Sequence, residues 1–344
     1  MKNRNRIAFS VSTAILAMAA MAPADARAQD EVDIAFTLDW VAQGPHGIFF
    51  HAKDAGYYEE EGLNVTFDPS QGSGDAANRI AGGSHDMGFP DINSLIEFNS
   101  QNPDNAIQTV LMVYNSGPFS IFTMADSDIQ EISDLEGHTL GAPSFDASMR
   151  LFPAVAAELG MDMDAINIEN MSPQLRETML VRGDVDAITG HVWSSLLNIV
   201  QTGTPEEDVR YFLYGDVGID FYANGVAVSS EFQQEHPEAV EGFIRATIRS
   251  VKDIVENPEL AIDAVMEFEP LLDRDIERAR LDLALECCLV TETVQEIGFG
   301  AIDPDRFEEA LVKVVEAFGL DRAPSVDEMY NPDYLPPAEE RMIQ

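Results

Sequence analysis

The chain has 344 residues, of which 45% are hydrophobic, and it carries a formal net charge of -41 at pH 7. So strong a negative charge repels the phosphates of nucleic acids and the surfaces of anionic membranes, which argues against both as partners. This length predicts a folded protein of two domains, and the acidic residues are spread along it as a solvated surface.

The N-terminal segment has the pattern of a secretory signal peptide. Three basic residues precede an apolar run over residues 7–21, and small residues lead up to Ala28. The run is short for a membrane span, which needs about 20 apolar residues, so a retained anchor is the less favoured alternative. We predict that residues 1–28 are a signal peptide cleaved after Ala28, which places the mature protein in the periplasm.

The rest of the chain alternates short β-rich runs with helical runs, which is typical of an α/β fold with mostly parallel strands. The first set predicts strands over residues 32–38, 63–67, 87–89 and 108–113, and helices over 46–61, 72–81 and 91–98. The second set predicts strands over residues 120–124, 139–142, 166–170, 187–189 and 209–214, and helices over 144–160, 173–181 and 191–202. A β-rich run over 222–229 then leads to helices over 237–256, 258–268, 273–286 and 304–318.

One set of strands and helices is nested inside the other, which implies that the first domain is discontinuous. We therefore predict a first lobe over residues 29–116 and 222–330, with a second lobe over 117–221 between its two parts. The proline-spotted residues 331–344 are predicted to form an irregular tail.

Neither the cysteines nor the histidines match a metal or catalytic pattern. Cys287 and Cys288 are adjacent, and two buried apolar side chains are favoured over a disulfide, whose geometry would be strained between neighbours. His46 and His51 lack the spacing and the acidic partner of a zinc site. With no nucleophile elbow or phosphate-binding loop either, we predict no metal, no cofactor and no catalysis.

Several short motifs occur between residues 32 and 269, and their order and spacing are informative. They include Leu38-Asp39-Trp40, Gly44-Pro45-His46-Gly47, Gln71-Gly72-Ser73-Gly74, Gly88-Phe89-Pro90-Asp91, Gly183-Asp184-Val185-Asp186-Ala187 and Tyr222-Ala223-Asn224-Gly225. Together they resemble the solute-binding proteins of ABC importers, and most nearly the branch that binds pyrimidine precursors of thiamine and related heterocycles.

This resemblance implies a periplasmic-binding-protein type II fold, in which two doubly wound lobes surround a central cleft. It also implies a small-molecule ligand and two protein partners, an ABC permease and its ATPase, for a chain that we expect to be a monomer. A eukaryotic relative makes the thiamine pyrimidine with a cysteine-rich motif that this chain lacks. A pyrimidine-synthase-like enzyme is therefore the less favoured function.

In doubly wound sheets, ligands bind beyond the carboxyl ends of the strands. The loops predicted to lie there are 39–47, 70–75, 90–93, 114–120, 143–149, 189–193 and 215–224. The predicted ligand-binding residues are Asp39, Trp40, His46, Ser73, Asp91, Asn93, Tyr114, Ser144, Phe145, His191, Trp193, Asp220 and Tyr222. Any single aspartate among them has an alternative role as a helix cap.

The composition of these loops predicts the chemistry of the ligand. They contain aspartates and aromatic residues but no lysine and no arginine, whereas a strongly anionic ligand usually meets one of those cations. Rings stack on aromatic faces and carboxylates accept hydrogen bonds from amines, which favours a flat nitrogen heterocycle. An alkylsulfonate, taurine or nitrate ligand stays open, because helix N-termini can hold an anion without a cation.

Overall fold

The computed structural model describes residues 31–219 and 221–343, so the predicted signal peptide lies outside the described residues. Strands β1 to β10 span Val32–Thr37, Leu63–Asp68, Met87–Gly88, Ile107–Met112, Phe119–Met124, Thr139–Ala142, Asn167–Asn170, Ala187–His191, Val209–Leu213 and Gly225–Ser229. They form two five-stranded sheets with the orders β2-β1-β3-β10-β4 and β7-β6-β8-β5-β9. We call the regions built on these sheets the first lobe and the second lobe.

Helices cover both sheets. Within the described residues, α1 to α14 span Gly47–Asp54, Tyr57–Glu60, Ser73–Ala81, Ile92–Gln101, Ala147–Leu159, Arg176–Val181, Val192–Gln201, Ser230–Glu235, Pro237–Glu256, Glu259–Phe268, Arg274–Ala284, Glu292–Ile297, Pro304–Phe318 and Val326–Met329. By their place in the chain, between the strands of the second sheet, we assign α5 to α7 to the second lobe and the other helices to the first. No described helix is long and apolar enough to cross a membrane.

Both sheets are mixed, but four strands of each run in one direction and only the fifth is reversed, which agrees with the expectation of mostly parallel strands. In the first sheet β1 is parallel to β2 and β3, whereas β10 is antiparallel to β3 and β4. In the second sheet β5 is antiparallel to both β8 and β9. The reversed strand of each sheet is the one that the chain enters directly from the other lobe. It therefore needs no helical crossover, which parallel neighbours require.

The first lobe buries a cluster of aromatic rings behind its sheet. Phe36 stacks on Phe243 with ring centroids 5.1 Å apart, and Phe243 stacks on Tyr58 at 4.9 Å. These side chains come from β1, α9 and α2, so one cluster fixes two helices against the sheet. The strand ends that carry the loops of the cleft are held in place by this packing.

Local sequence explains where helices begin and end differently from the prediction. The helix predicted over residues 46–61 is two helices, α1 and α2, because Gly56 between them adopts φ 77°, the left-handed conformation that glycine tolerates. Three further short helices were missed, α8, α12 and α14, and each begins at a hydroxyl cap, from Ser229, Thr291 and Ser325 respectively. The predicted run over 222–229 forms a strand only from Gly225.

The segment that returns to the first lobe is fixed to the start of α4. Asn93 donates to the carbonyl of Tyr222 at 2.7 Å, Ile92 N–H donates to Ala223 at 3.0 Å, and Asn224 donates to the carbonyl of Phe89 at 2.8 Å. These bonds replace a sheet ladder. They explain why residues 222–224 are ordered without being a strand.

The C-terminal residues 331–343 contain only short 3-10 turns, at Pro332–Tyr334 and Ala338–Glu340. They nevertheless pack on the first lobe, where Arg341 donates to the carbonyl of Phe299 at 2.8 Å. The division into lobes at residues 116, 221 and 330 stays a prediction.

The two adjacent cysteines differ from the favoured prediction. Cys287 and Cys288 are joined by a disulfide bond, and they lie in a π-helical turn, Leu285–Leu289, that follows α11. The expectation of two free cysteines on a regular helix is therefore wrong. The wider turn gives neighbouring residues a backbone that a regular helix does not provide.

Candidate functional site

A pocket lies between the lobes, beyond the carboxyl ends of the parallel strands. Its lining residues are Asp39, Trp40, Gln43, Pro45, His46, Gly72, Ser73, Tyr114, Asp146, Ala147, Arg176, His191, Trp193 and Ser194. They follow β1, β2 and β4 in the first lobe and β6, β7 and β8 in the second. This is the place where doubly wound sheets bind ligands.

The wall from the first lobe carries a carboxylate held by a histidine. His46 Nε2 lies 2.8 Å from Asp39 Oδ1, and the Gln43 N–H donates to His46 Nδ1 at 3.0 Å. Since Nδ1 accepts, the ring proton is on Nε2 and points at Asp39. The histidine thereby orients the buried carboxylate, which retains capacity to accept a hydrogen bond from a ligand.

The wall from the second lobe carries a buried arginine that the sequence reasoning missed. Arg176, only 1% exposed, pairs with Asp146 at 2.7 Å and with Glu177 at 2.7 Å. Burial by itself lowers the pKa of Arg176, but these two carboxylates hold it above its ordinary value. The guanidinium is therefore charged, and its charge is neutralised within the protein.

The expectation of a pocket without arginine is thus wrong. Arg176 is the first residue of α6, beyond the end of β7, and this segment had been assigned to a helix rather than to a cleft loop. The other cleft loops were selected because they lie beyond the carboxyl end of a strand. The segment that contains Arg176 also meets this criterion. Asp146 had been placed in a cleft loop, and its side chain caps α5 by accepting from Met149 N–H at 3.0 Å.

Aromatic rings form most of the remaining wall. Trp193 meets Tyr114 edge to face with centroids 5.2 Å apart, and it meets His191 at 5.4 Å. Burial lowers the pKa of His191, so the imidazole is neutral and offers both a donor and an acceptor. Across the pocket, the guanidinium of Arg176 lies 5.0 Å from the ring of Trp40, a cation–π contact between the two lobes.

Seven predicted ligand-binding residues line this pocket, and five others lie elsewhere. The seven are Asp39, Trp40, His46, Ser73, Tyr114, His191 and Trp193. Asp91 caps α4 and Asn93 bonds Tyr222, so both support the return segment. The Tyr222 hydroxyl accepts from Asp303 N–H at 2.7 Å, which turns it toward α13.

Three predicted ligand-binding residues remain, Ser144, Phe145 and Asp220. Ser144 donates to Asn170 at the surface, and Phe145 is 39% exposed at the rim. Asp220 lies outside the described residues. Residue type alone does not distinguish these from the seven, because caps and loops share the same composition.

The two walls touch, so this conformation is closed. Gln43 of the first lobe donates to Ser194 Oγ of the second at 2.9 Å, and Gly74 N–H donates to the Phe145 carbonyl at 3.3 Å. The centre of a water molecule fits in only about 30 Å³ of the space between the walls. A space with walls so close together is a slot, which suits a flat group.

No group of three or more histidine, cysteine, aspartate or glutamate side chains is placed to hold a metal ion within the described residues. The pocket offers several groups that can form hydrogen bonds to a ligand or stack on it. It has two carboxylate acceptors, Asp39 and Asp146, a neutral imidazole, a hydroxyl donor on Ser194, and ring faces.

Comparison with known proteins gives a family. The model of the NMT1/THI5-like family matches residues 43–261. A riboflavin-binding protein of Chloroflexus aurantiacus is 24% identical over 294 residues, covering 84% of this chain and 82% of that protein. A formylaminopyrimidine-binding protein of Halalkalibacterium halodurans is 24% identical over 284 residues, covering 80% and 82%.

The chain is also similar to a solved binding protein and to a protein named as a synthase. An alkanesulfonate-binding protein of Xanthomonas axonopodis pv. citri, solved with MOPS, has a TM-score of 0.68 at 13% identity, covering 88% of this chain and 99% of that one. A 4-amino-5-hydroxymethyl-2-methylpyrimidine phosphate synthase of Aspergillus parasiticus is 23% identical, covering 71% and 73%. The structural likeness confirms the predicted fold, two α/β lobes of the periplasmic-binding type.

Proposed function

The chain belongs to the NMT1/THI5-like family, and from that premise we propose that it is the solute-binding component of an ABC importer. It captures a small nitrogen heterocycle outside the cytoplasm by closing its two lobes. It then delivers that ligand to a permease driven by an ATPase. No bond of the ligand is made or broken.

The observation that carries this proposal is a slot with aromatic walls and a carboxylate on each side. Trp40 and Trp193 supply ring faces, while Asp39 in the first lobe and Asp146 in the second supply acceptors. A flat ring can stack between such faces, and its amino groups can donate to both carboxylates. A ligand bound in this way bridges the lobes and favours the closed form.

The charges of the pocket disfavour a strong anion. Arg176 is bonded to Asp146 and Glu177, so it brings no net positive charge to the space, while Asp39 adds a further carboxylate. An anion would have to displace a buried ion pair or approach an acidic wall, and both are costly. A neutral or protonated amine-bearing ring meets no such cost.

The relatives support the same class of ligand. Formylaminopyrimidine and riboflavin, named for the two binding proteins above, are both flat nitrogen heterocycles. The order of the loop motifs most nearly resembles the pyrimidine-precursor branch, which favours a pyrimidine over a flavin. A thiamine pyrimidine precursor is therefore the ligand that we propose.

Native mass spectrometry of the purified protein, followed by a thermal-shift panel, tests this proposal. The panel contains formylaminopyrimidine, riboflavin, taurine, an alkanesulfonate and nitrate. A ligand at 100 times its Kd adds about 2.7 kcal/mol of stability, a shift of several degrees in Tm. We expect formylaminopyrimidine to give the largest shift.

A matched pair of variants ties the shift to the pocket. Asp39→Asn removes a lining carboxylate, whereas Asp33→Asn changes an exposed one on β1 in the same lobe. The first should abolish most of the ligand-induced shift and the second should preserve it. Stabilisation by the sulfonate, with none by the heterocycles, would overturn the proposed ligand class.

A sulfonate, taurine or nitrate binder is the second candidate. The observation in its favour is Arg176, a guanidinium in the pocket wall, together with the shared fold of the alkanesulfonate-binding protein. For this candidate the arginine would have to exchange one of its carboxylate partners for the anion. The same thermal-shift panel distinguishes it, since the sulfonate would then be the stabilising compound.

A synthase-like enzyme is the third candidate, because of the relative named as a pyrimidine phosphate synthase. This sequence lacks the cysteine-rich motif that we expect in such an enzyme. Incubation of the purified protein with candidate substrates, followed by mass spectrometry of the products, tests it. We expect every compound to be recovered unchanged.

The cellular setting is part of the proposal. Intact mass and N-terminal sequencing of protein from a periplasmic extract should show a chain that begins at Gln29. Light scattering should give the mass of a monomer. A full-length cytoplasmic protein would contradict the importer.

A further inference from the structure

Outside the pocket, buried polar side chains connect the two lobes. Arg280 of α11, in the first lobe, is 2% exposed. It donates to Asn198 Oδ1 at 2.6 Å and to Gln201 Oε1 at 3.4 Å, both on α7 of the second lobe. Its counter-charge is Glu277 on its own helix, where Arg280 Nε lies 3.4 Å from a carboxylate oxygen. The guanidinium thus reaches from one lobe into the other.

The partners of Arg280 in both lobes are hydrogen-bonded to residues at the walls of the pocket. In the second lobe, Asn198 donates at 3.3 Å to the Glu177 oxygen that accepts from Arg176 at 2.7 Å. In the first lobe, Glu277 Oε2 accepts at 2.7 Å from Gly44 N–H, in the turn between Asp39 and α1. The path therefore starts at one wall of the pocket and ends at the other.

Two of the hydrogen bonds of buried Arg280, those to Asn198 and Gln201, can exist only while the lobes are together. Burial lowers the pKa of Arg280, and the nearby carboxylates of Glu277 and Glu177 oppose that effect. When α7 moves away with the second lobe, Arg280 loses the acceptors on Asn198 and Gln201. A buried guanidinium is stable only with its partners in place, so these bonds distinguish the closed form from the open one.

We propose that Arg280 is a positioning residue that helps to retain the ligand, an inference that rests on the proposed function. It does not line the pocket. It sets the ratio of closed to open molecules, and through that ratio it sets how long the ligand stays. Because it acts on closure, it affects every ligand by the same factor, unlike a residue that touches the ligand.

The test compares Arg280→Met with Arg278→Met. Arg278 lies on the same helix but is half-buried and pairs with Glu259 and Asp282, both in the first lobe. Small-angle scattering of ligand-free protein should give a larger radius of gyration for Arg280→Met. Stopped-flow release of formylaminopyrimidine and of riboflavin should be faster by about tenfold for both, with little change in association. Arg278→Met should match the parent in both measurements.

A second variant approaches the same bond from the other lobe. Asn198→Ala removes the nearer of the two acceptors on α7 and leaves Arg280 and Glu277 paired, so it decides the matter if Arg280→Met fails to fold. The double variant should release ligand at a rate below the product of the two single effects, because both changes remove the bond between Arg280 and Asn198. Circular dichroism establishes that each variant is folded.

Two failures are distinguishable. Folded variants with unchanged scattering and unchanged release rates would refute the role of Arg280. A factor that differs between formylaminopyrimidine and riboflavin would also refute it, since that would indicate direct ligand recognition. If neither compound binds the parent protein, the proposed ligand class fails, and the ligand-free scattering alone still decides the role of Arg280.

Discussion

Replacing Trp193 by alanine is the most direct perturbation of the proposed ligand platform. Trp193 is 3% exposed, lines the pocket and is wedged against Tyr114 and His191. A stacked aromatic pair contributes about 0.5–1.5 kcal/mol beyond the area it buries. With the loss of that area as well, we expect at least a tenfold rise in Kd, which corresponds to about 1.4 kcal/mol.

The same change also affects the fold, and the experiment has to separate the two effects. Truncating a buried tryptophan to alanine costs about 3–5 kcal/mol of stability through the cavity it leaves. Trp193→Phe keeps a ring in the wall, so it should bind ligand more tightly than Trp193→Ala. Tyr211→Ala removes a ring that is 42% exposed on β9 of the same lobe, and it should leave Kd unchanged.

Isothermal titration calorimetry measures the affinity, and intrinsic fluorescence identifies the ring involved. The chain has two tryptophans, Trp40 and Trp193, and both line the pocket. Fluorescence of Trp193→Ala therefore reports on Trp40 alone. An unchanged Kd for folded Trp193→Ala would remove this residue from the ligand platform and would refute stacking as the reason for the aromatic wall.

Three further outcomes follow from the same geometry. Arg176→Met leaves the buried Asp146 without its cation and should lower the free energy of unfolding in urea by about 3–5 kcal/mol, with Arg176→Lys between it and the parent. Gly72→Ala places a methyl group 2.1 Å from the Phe145 carbonyl of the other lobe, so calorimetry should show at least tenfold weaker binding, which corresponds to about 1.4 kcal/mol. Burial raises the pKa of Asp91 to about 7 in the folded state, whereas the same carboxyl group in the unfolded chain loses its proton near pH ~4. The free energy of unfolding therefore falls as the pH rises from about 4 to about 7. Asp91→Asn should therefore raise Tm at pH 8 and change it little at pH 4, by scanning calorimetry.

The parts of the fold that follow from local sequence were predictable. Helices α9 and α13 begin at Pro237 and Pro304 and end at Glu256 and Phe318, as predicted. Proline at the first turn fixes φ without losing a hydrogen bond, and the apolar residues recur at helical spacing over the whole length. Such signals lie within the helix itself, so no knowledge of its neighbours is needed.

Features set by tertiary contacts were not predictable in the same way. Residues 222–224 were predicted to begin a strand, yet their partners are the start of α4, the residue before α13 and residues 113–114 beyond the end of β4. The disulfide between Cys287 and Cys288 lies in a π-helical turn, which no residue pattern identifies. In both cases the composition is compatible with several structures, and packing selects one.

The missed arginine shows why residue type is a poor guide to the charge of a site. Counting cations in the cleft loops led to the inference of an amine-bearing ligand, and Arg176 contradicts that count. The inference nevertheless retains its physical basis, because Asp146 and Glu177 bind the guanidinium within the protein. What a ligand meets is the charge that remains after such pairing. Asp39, oriented by His46, therefore has more influence on ligand charge than the arginine does.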